Sequence, residues 1–136
     1  MADRTRVYFG AFSADPDGSP ISKVVGREPS TFKPIGEPIA ARPGAVLRKR
    51  SVWTIESELP ESASFQEHIE ALLARLEVHA DGVRKAVRMF DGCMNFYLWR
   101  ETSTPGFHLT GEQIARVSAL ELPMDFDIYA FLPEED

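Results

Sequence analysis

Several stretches of this chain alternate apolar and polar positions with a period of two, the pattern of a half-buried strand. Residues 6–12 are rich in β-branched and aromatic side chains and predict a first strand. Residues 50–56 alternate cleanly, with Trp53 and Ile55 on one side and Val52, Thr54 and Glu56 on the other. Residues 93–99 and 124–132 repeat the pattern near the end of the chain. Residues 30–35 could add an edge strand, inside a stretch that four prolines between Pro29 and Pro43 otherwise keep irregular.

Between the strands the period changes to that of a helix. After the turn cluster Asp15-Pro16-Asp17-Gly18, Ser19 offers a capping oxygen, Pro20 suits a first turn and Gly26 can close a left-handed end. A short helix over 20–25 is expected. Ser64 and Glu67 form a capping-box pattern, followed by a stripe of Phe65, Ile69, Leu72, Leu73 and Leu76. Helical periodicity runs on through Val83, Ala86, Val87 and Phe90, which predicts helix over 64–89 with a break or kink at Gly82. A second capping box pairs Thr110 with Gln113, with Leu109 and Ile114 placed as a hydrophobic staple. Helix over 110–120 follows, with Ile114, Val117 and Leu120 toward the core.

Strands and short helices in this mixed order argue an α+β fold, a mostly antiparallel sheet of four or five strands with helices packed on one face. The related arrangement is a ferredoxin-like two-layer sandwich, βαββαβ, with an added helix and strand. Residues 1–136 are expected to form a single domain. The covered face would carry Val7, Phe9, Ala11, Trp53, Ile55, Met94, Phe96, Leu98, Met124, Phe126, Ile128 and Ala130. Alternation sends Tyr8, Phe12, Thr54, Glu56, Asn95, Tyr97, Trp99, Asp125, Asp127 and Tyr129 to the opposite face. That second face mixes amphipathic aromatics with acids and amides, a composition typical of recognition surfaces. Burial beneath the Pro-rich segment or against a second subunit, a homodimer, would produce the same pattern.

Composition narrows the classes. With 43% hydrophobic and 26% charged residues the chain is of ordinary globular type. No apolar run approaches the roughly 20 residues that span a bilayer, and no signal-peptide pattern opens the chain, so no membrane role and a cytoplasmic location are expected. The single cysteine, Cys93, allows no internal disulfide. Net charge is −6, but residues 33–50 carry Lys33, Arg42, Arg48, Lys49 and Arg50 against Glu37 alone. That segment is +4 in a chain whose remainder is −10. A small basic patch in an acidic field argues against nucleic acid, whose binding needs a dominant positive field. It leaves a solvated loop or an anionic or acidic-partner site.

Chemistry is sparse. His68 and His79, eleven residues apart on a continuous helix, would stand about 16 Å apart and cannot share an ion. They read as solvated or partly buried helix residues. No zinc, nucleotide-loop or nucleophile-elbow spacing is present. No cofactor is expected. Cys93 follows the turn Asp91-Gly92, with nothing near it in sequence to activate a thiol. Asp125 and Asp127 share a strand face and could serve as paired carboxylates. His108 lies in a turn just before a well-capped helix, a position for a functional or a merely bracing side chain.

The strand Val7-Tyr8-Phe9-Gly10, the run from Ile21 to Gly26 followed by Arg27-Glu28-Pro29, and Trp53-Thr54-Ile55-Glu56-Ser57 form an ordered series of motifs. The helix Glu67-His68-Ile69-Glu70-Ala71-Leu72-Leu73 and the segment Pro105-Gly106-Phe107-His108-Leu109-Thr110 continue it. In that order and spacing the chain resembles the bacterial family described as domain of unknown function 4279, over residues 6–129. The resemblance implies a soluble bacterial protein of one compact α+β domain, and carries no catalytic residue across.

The reading that follows is a non-catalytic binding or protein-interaction module, of which a toxin-blocking, immunity-like protein is one form. Its expected contact residues are Tyr8, Arg48, Arg50, Tyr97, Trp99, His108 and Tyr129, toward a protein partner or a small ligand. The alternative is a small enzyme, a hydrolase using His108 with a carboxylate from Glu56, Asp125 or Asp127.

Overall fold

A computed structural model describes residues 3–101 and 106–130. The described chain runs β1 (Arg4–Ser13), α1 (Ser19–Val25), β2 (Thr31–Lys33), β3 (Ser51–Glu56), α2 (Phe65–Glu77), α3 (Ala80–Met89), β4 (Cys93–Arg100), α4 (Gly111–Ala119) and β5 (Met124–Ala130). These strands form one sheet in the order β2-β3-β1-β4-β5. β1 pairs antiparallel with both β3 and β4, and β2 pairs antiparallel with β3. β5 alone pairs parallel, with β4. The first four strands with α1 and the α2–α3 pair thus have the order and directions of a ferredoxin-like βαββαβ unit, to which α4 and β5 add a parallel edge strand. The fold is α+β, as the sequence pattern predicts. The last strand is expected over 124–132, and residues 131 and 132 of it lie outside the described residues.

All the helices of the described chain pack on one side of the sheet. There Val7, Phe9, Ala11, Trp53, Ile55, Met94, Phe96 and Leu98 are buried against Ile69, Leu72, Leu73 and Leu76 of α2. Trp53 fills the centre of this layer, its ring edge-on to Phe9 and its indole N–H donating 3.0 Å to the Ser22 hydroxyl of α1. The covered face predicted for β5 is not covered. Met124, Phe126 and Ile128 are 36–43% exposed, because β5 is the outer strand and α4 does not reach across it. Phe126 instead stacks between Phe96 and Phe107.

Local chemistry explains most element ends. Both predicted capping boxes form: Ser64 with Glu67 and Thr110 with Gln113, each exchanging side-chain and backbone hydrogen bonds. Gly26 closes α1 at φ 95° with its N–H on the Ser22 carbonyl. The start of α1 differs from expectation. Ser19 lies inside the helix, and the Asp17 carboxylate accepts from both its N–H and its hydroxyl at 2.8–2.9 Å.

Three further expectations are corrected. The helix over 64–89 breaks at Val78–His79 rather than at Gly82. Gly82 sits inside α3 because α1 crosses it: a Cβ there would lie 2.2 Å from the Val25 carbonyl oxygen. In α4 the buried side is Gln113, Val117 and Leu120, while Ile114 is 51% exposed. Gln113 can be buried because its amide donates to Gln66 at 2.7 Å and Glu70 at 2.9 Å. Finally, His68 is not solvated but fully buried.

The connection from β2 to β3 is an exposed arm. The Ile39 N–H bonds to the Val46 carbonyl, Pro38 bridges Leu47, and Arg48 exchanges backbone bonds with Gly36 and Glu37. Prolines deny it a regular ladder, so it folds back on itself as a short irregular hairpin.

Candidate functional site

With every described helix on one side, the other side of the sheet is open, and strand alternation determines what it displays. The register places Tyr8 between Glu56 and Asn95, Arg6 beside Tyr97, Arg4 beside Trp99, and Tyr129 beside Trp99 on the outer side. The aromatic rings run in one continuous ladder. Tyr8 stacks on Tyr97 with centroids 6.0 Å apart and planes 6° from parallel. Tyr97 stacks on Trp99 and Trp99 on Tyr129, each at 5.8 Å. Each such pair contributes about 0.5–1.5 kcal/mol beyond burial, so the rings hold one another in place.

Two guanidinium groups extend the ladder. Arg4 lies 4.7 Å over the Trp99 ring and Arg6 4.2 Å over Tyr8. Arg6 is also clamped by the Glu56 carboxylate. Burial works against the charge of Arg6, but the hydrogen bond and charge of Glu56 more than offset it, and its pKa rises. Burial first, then the neighbouring Tyr97, pushes the Tyr8 phenol well above its ordinary value of 10. Tyr8 therefore stays a neutral donor at physiological pH. It is also nearly buried, at 8% exposure, so it is the floor of the ladder; Tyr97 and Trp99 are partly exposed and Tyr129 is 46% exposed.

The seven residues singled out from sequence do not all meet. Tyr8, Tyr97, Trp99 and Tyr129 come together. Arg50 is on the same face but stacks on Phe12, 4.3 Å from its ring, and pairs with Asp91 at 3.5 Å. Phe12 is eight residues along β1 from Arg4, about 27 Å at the rise of a strand. Arg48 belongs to the arm beyond that end. His108 is exposed, and its backbone carbonyl accepts 2.6 Å from the Gln66 amide of α2, between Phe107 and Leu109, which pack on the helix-side core. Glu56, Asp125 and Asp127 share the open face, and among the described residues no ion pair joins His108 to any of them. The His108 side chain makes no hydrogen bond among the described residues.

Arg4 and Arg6 were missed by reading the sequence for aromatics. Their signal was available: they share strand parity with Tyr8. A second missed feature is a buried Ser–His pair at the end of β3. Ser57 Oγ lies 2.7 Å from His68 Nδ1, and His68 Nε2 lies 3.1 Å from the Pro60 carbonyl. A carbonyl can only accept, so Nε2 carries the proton and Nδ1 accepts from the Ser57 hydroxyl. Burial lowers the His68 pKa against the opposing pull of the Pro60 carbonyl, Glu67 and Glu61. The ring is held as a neutral brace between β3, the loop after it and α2. Nothing local in the sequence links Ser57 to His68.

Cys93 is buried beside Asn95, and burial pushes its thiol up to about 11, so little thiolate exists near neutrality. No group of three or more His, Cys, Asp or Glu side chains among the described residues could hold a metal ion. No described helix is long and apolar enough to cross a membrane.

A family model described as Domain of unknown function (DUF4279) matches residues 3–131. The chain belongs to this family. No curated protein and no solved structure matches it. For this DUF4279 chain the match spans every described element, the aromatic ladder and the arm included.

Proposed function

We propose that this DUF4279 protein is a non-catalytic recognition module that binds a protein partner through the open face of its sheet. The observation that carries the reading is the ladder Tyr8–Tyr97–Trp99–Tyr129, capped by Arg4 and Arg6, on the only side of the sheet that no described helix covers. Tyr, Trp and Arg are the residue types that dominate binding energy at protein interfaces, because they bring large contact area together with a polar handle. Here they are already ordered by one another, so little further ordering opposes association. Asp125 and Asp127 rim the outer side of the ladder, a polar border of the kind that surrounds an apolar contact. A toxin-blocking role is the narrower form of this reading.

Trp99→Ala and Tyr129→Ala test it. The partner retained by the immobilised wild-type chain should bind Trp99→Ala weaker by about 2 kcal/mol or more, near 30-fold. The thermal midpoint should fall by only a few degrees, from the lost Tyr97, Tyr129 and Arg4 contacts, because Trp99 lies outside the helix-side core. Retention of full affinity by both variants would end the proposal.

A further inference from the structure

The open face has a second end, and its chemistry differs from that of the ladder. Phe12 and Val52, paired across β1 and β3, form the floor of a groove whose wall is the arm. The wall presents Ile39, Val46 and Leu47, which are 57%, 63% and 54% exposed. Three large apolar side chains on one short hairpin, all left open to solvent, are not explained by the fold. They bury nothing in the core.

The cations around this groove are equally unexplained. Arg48, Lys49 and Arg50 line it, Arg50 lying over the Phe12 ring, while Lys33 stands opposite Val52 in the neighbouring strand and Arg42 lies in the arm. Elsewhere on the chain Arg6, Arg75, Arg84, Arg88 and Arg116 each pair with a carboxylate. Of the arm's cations only Arg50 does so; Lys33, Arg42, Arg48 and Lys49 form no ion pair among the described residues. Lys23, Arg27, Lys85 and Arg100 form no ion pair among the described residues either, but they are scattered along the chain, whereas Lys33, Arg42, Arg48 and Lys49 fall within the one +4 segment.

We propose that this groove docks an acidic segment of a partner protein, one or two large apolar side chains flanked by carboxylates. Volume sets the size. At about 290 Å³ the groove lies at the bottom of the range for small-molecule sites but accommodates a leucine- or phenylalanine-sized side chain. Charge sets the sign. Carboxylates beside the anchor would meet Arg48 and Lys49, which line the groove, and Lys33 across from Val52. A nucleic acid fits less well: its phosphates gain nothing from Phe12, Ile39 and Leu47, and a long polyanion would run on into the −10 of the remaining chain. A short acidic segment stays within a Debye length, about 8 Å, of the cations. This site stands independently of the aromatic ladder.

The test uses the full chain and a fluorescein-labelled peptide with central leucines flanked by glutamates. Two control peptides exchange the leucines for serine or the glutamates for lysine. Saturable binding of the first peptide alone is expected, weakened about tenfold for each charge reversed in Arg48→Glu and Lys49→Glu. Leu47→Ser, which leaves every charge in place, should also weaken it. These positions are on the surface, so unchanged thermal midpoints should accompany the losses, and Trp99→Ala should bind the peptide like the wild type. Equal binding of the serine control, or no binding at all, would overturn the proposal. So would tighter binding of a single-stranded oligonucleotide. Self-association in sedimentation that Arg48→Glu abolishes would overturn it too, by making a second copy the occupant.

Discussion

His68 shows how much a single side chain can depend on the neutrality of its surroundings. It is neutral in the fold, with a pKa lowered from 6.5 chiefly by burial, and an ordinary histidine in the unfolded chain. Between those two values the unfolded state binds more protons, so stability rises with pH across that window. The contribution is complete above about pH 6.5, fades as pH falls through it and levels off below the folded value. Urea unfolding between pH 7.5 and 5.5 should therefore show a steeper loss for the wild type than for His68→Gln, which cannot titrate; parallel curves would remove His68 from the effect. Ser57→Ala leaves Nδ1 of the same ring buried without its donor and should cost about 1–3 kcal/mol. Cys93, with its thiol near 11, should react only slowly with iodoacetamide at pH 8 unless the chain is first unfolded. The polar side chains that mattered most locally were legible in part. Ser64, Glu67, Thr110 and Gln113 act within one turn of helix, so spacing alone reveals them. Ser57 and His68 meet only after β3 and α2 have packed.

At the level of elements, the α1–α3 crossing is the most constrained contact. Gly82→Ala would gain about 1 kcal/mol of helix propensity, but its methyl would meet the Val25 and Val24 carbonyl oxygens at 2.2 and 2.6 Å. Backbone oxygens cannot rotate aside, so a net loss of about 1–3 kcal/mol is expected in chemical denaturation. Gain of stability would show that the two helices slide apart freely. Thr110→Ala removes the cap of α4 and should cost about 1 kcal/mol, read in the same experiment. Periodicity and capping signals placed α1, the start of α2 and α4 within a residue or so, because each of these ends carries its own local signal. It misplaced the break before α3, since Gly82 signals weak helix, whereas the demand at that position comes from α1. It also assigned Ile114 to the core, because a staple position and a buried position look alike until the neighbouring helix is known.

For the whole molecule the decisive quantity is which side of the sheet the helices leave open. Phe96→Ala and Trp99→Ala sit three residues apart on β4 but face opposite ways, and they should separate stability from recognition. Phe96 is fully buried between Phe65 and Phe126, so its loss should cost about 3–5 kcal/mol of stability. Trp99→Ala should lower the thermal midpoint by only a few degrees, through its lost ring contacts, and act chiefly on partner affinity. Equal destabilisation by both would mean that the ladder belongs to the core. By itself the sequence determined the α+β class, the two faces of each inner strand, the capping boxes and the +4 segment between Lys33 and Arg50, because period, caps and charge are written within a few residues. Only tertiary structure decided the strand order β2-β3-β1-β4-β5, the exposure of β5, the distance between Arg50 and Trp99, and the meeting of Ser57 with His68. Those depend on which distant segments pair, and pairing is selected by the burial of the whole helix layer rather than by any local pattern.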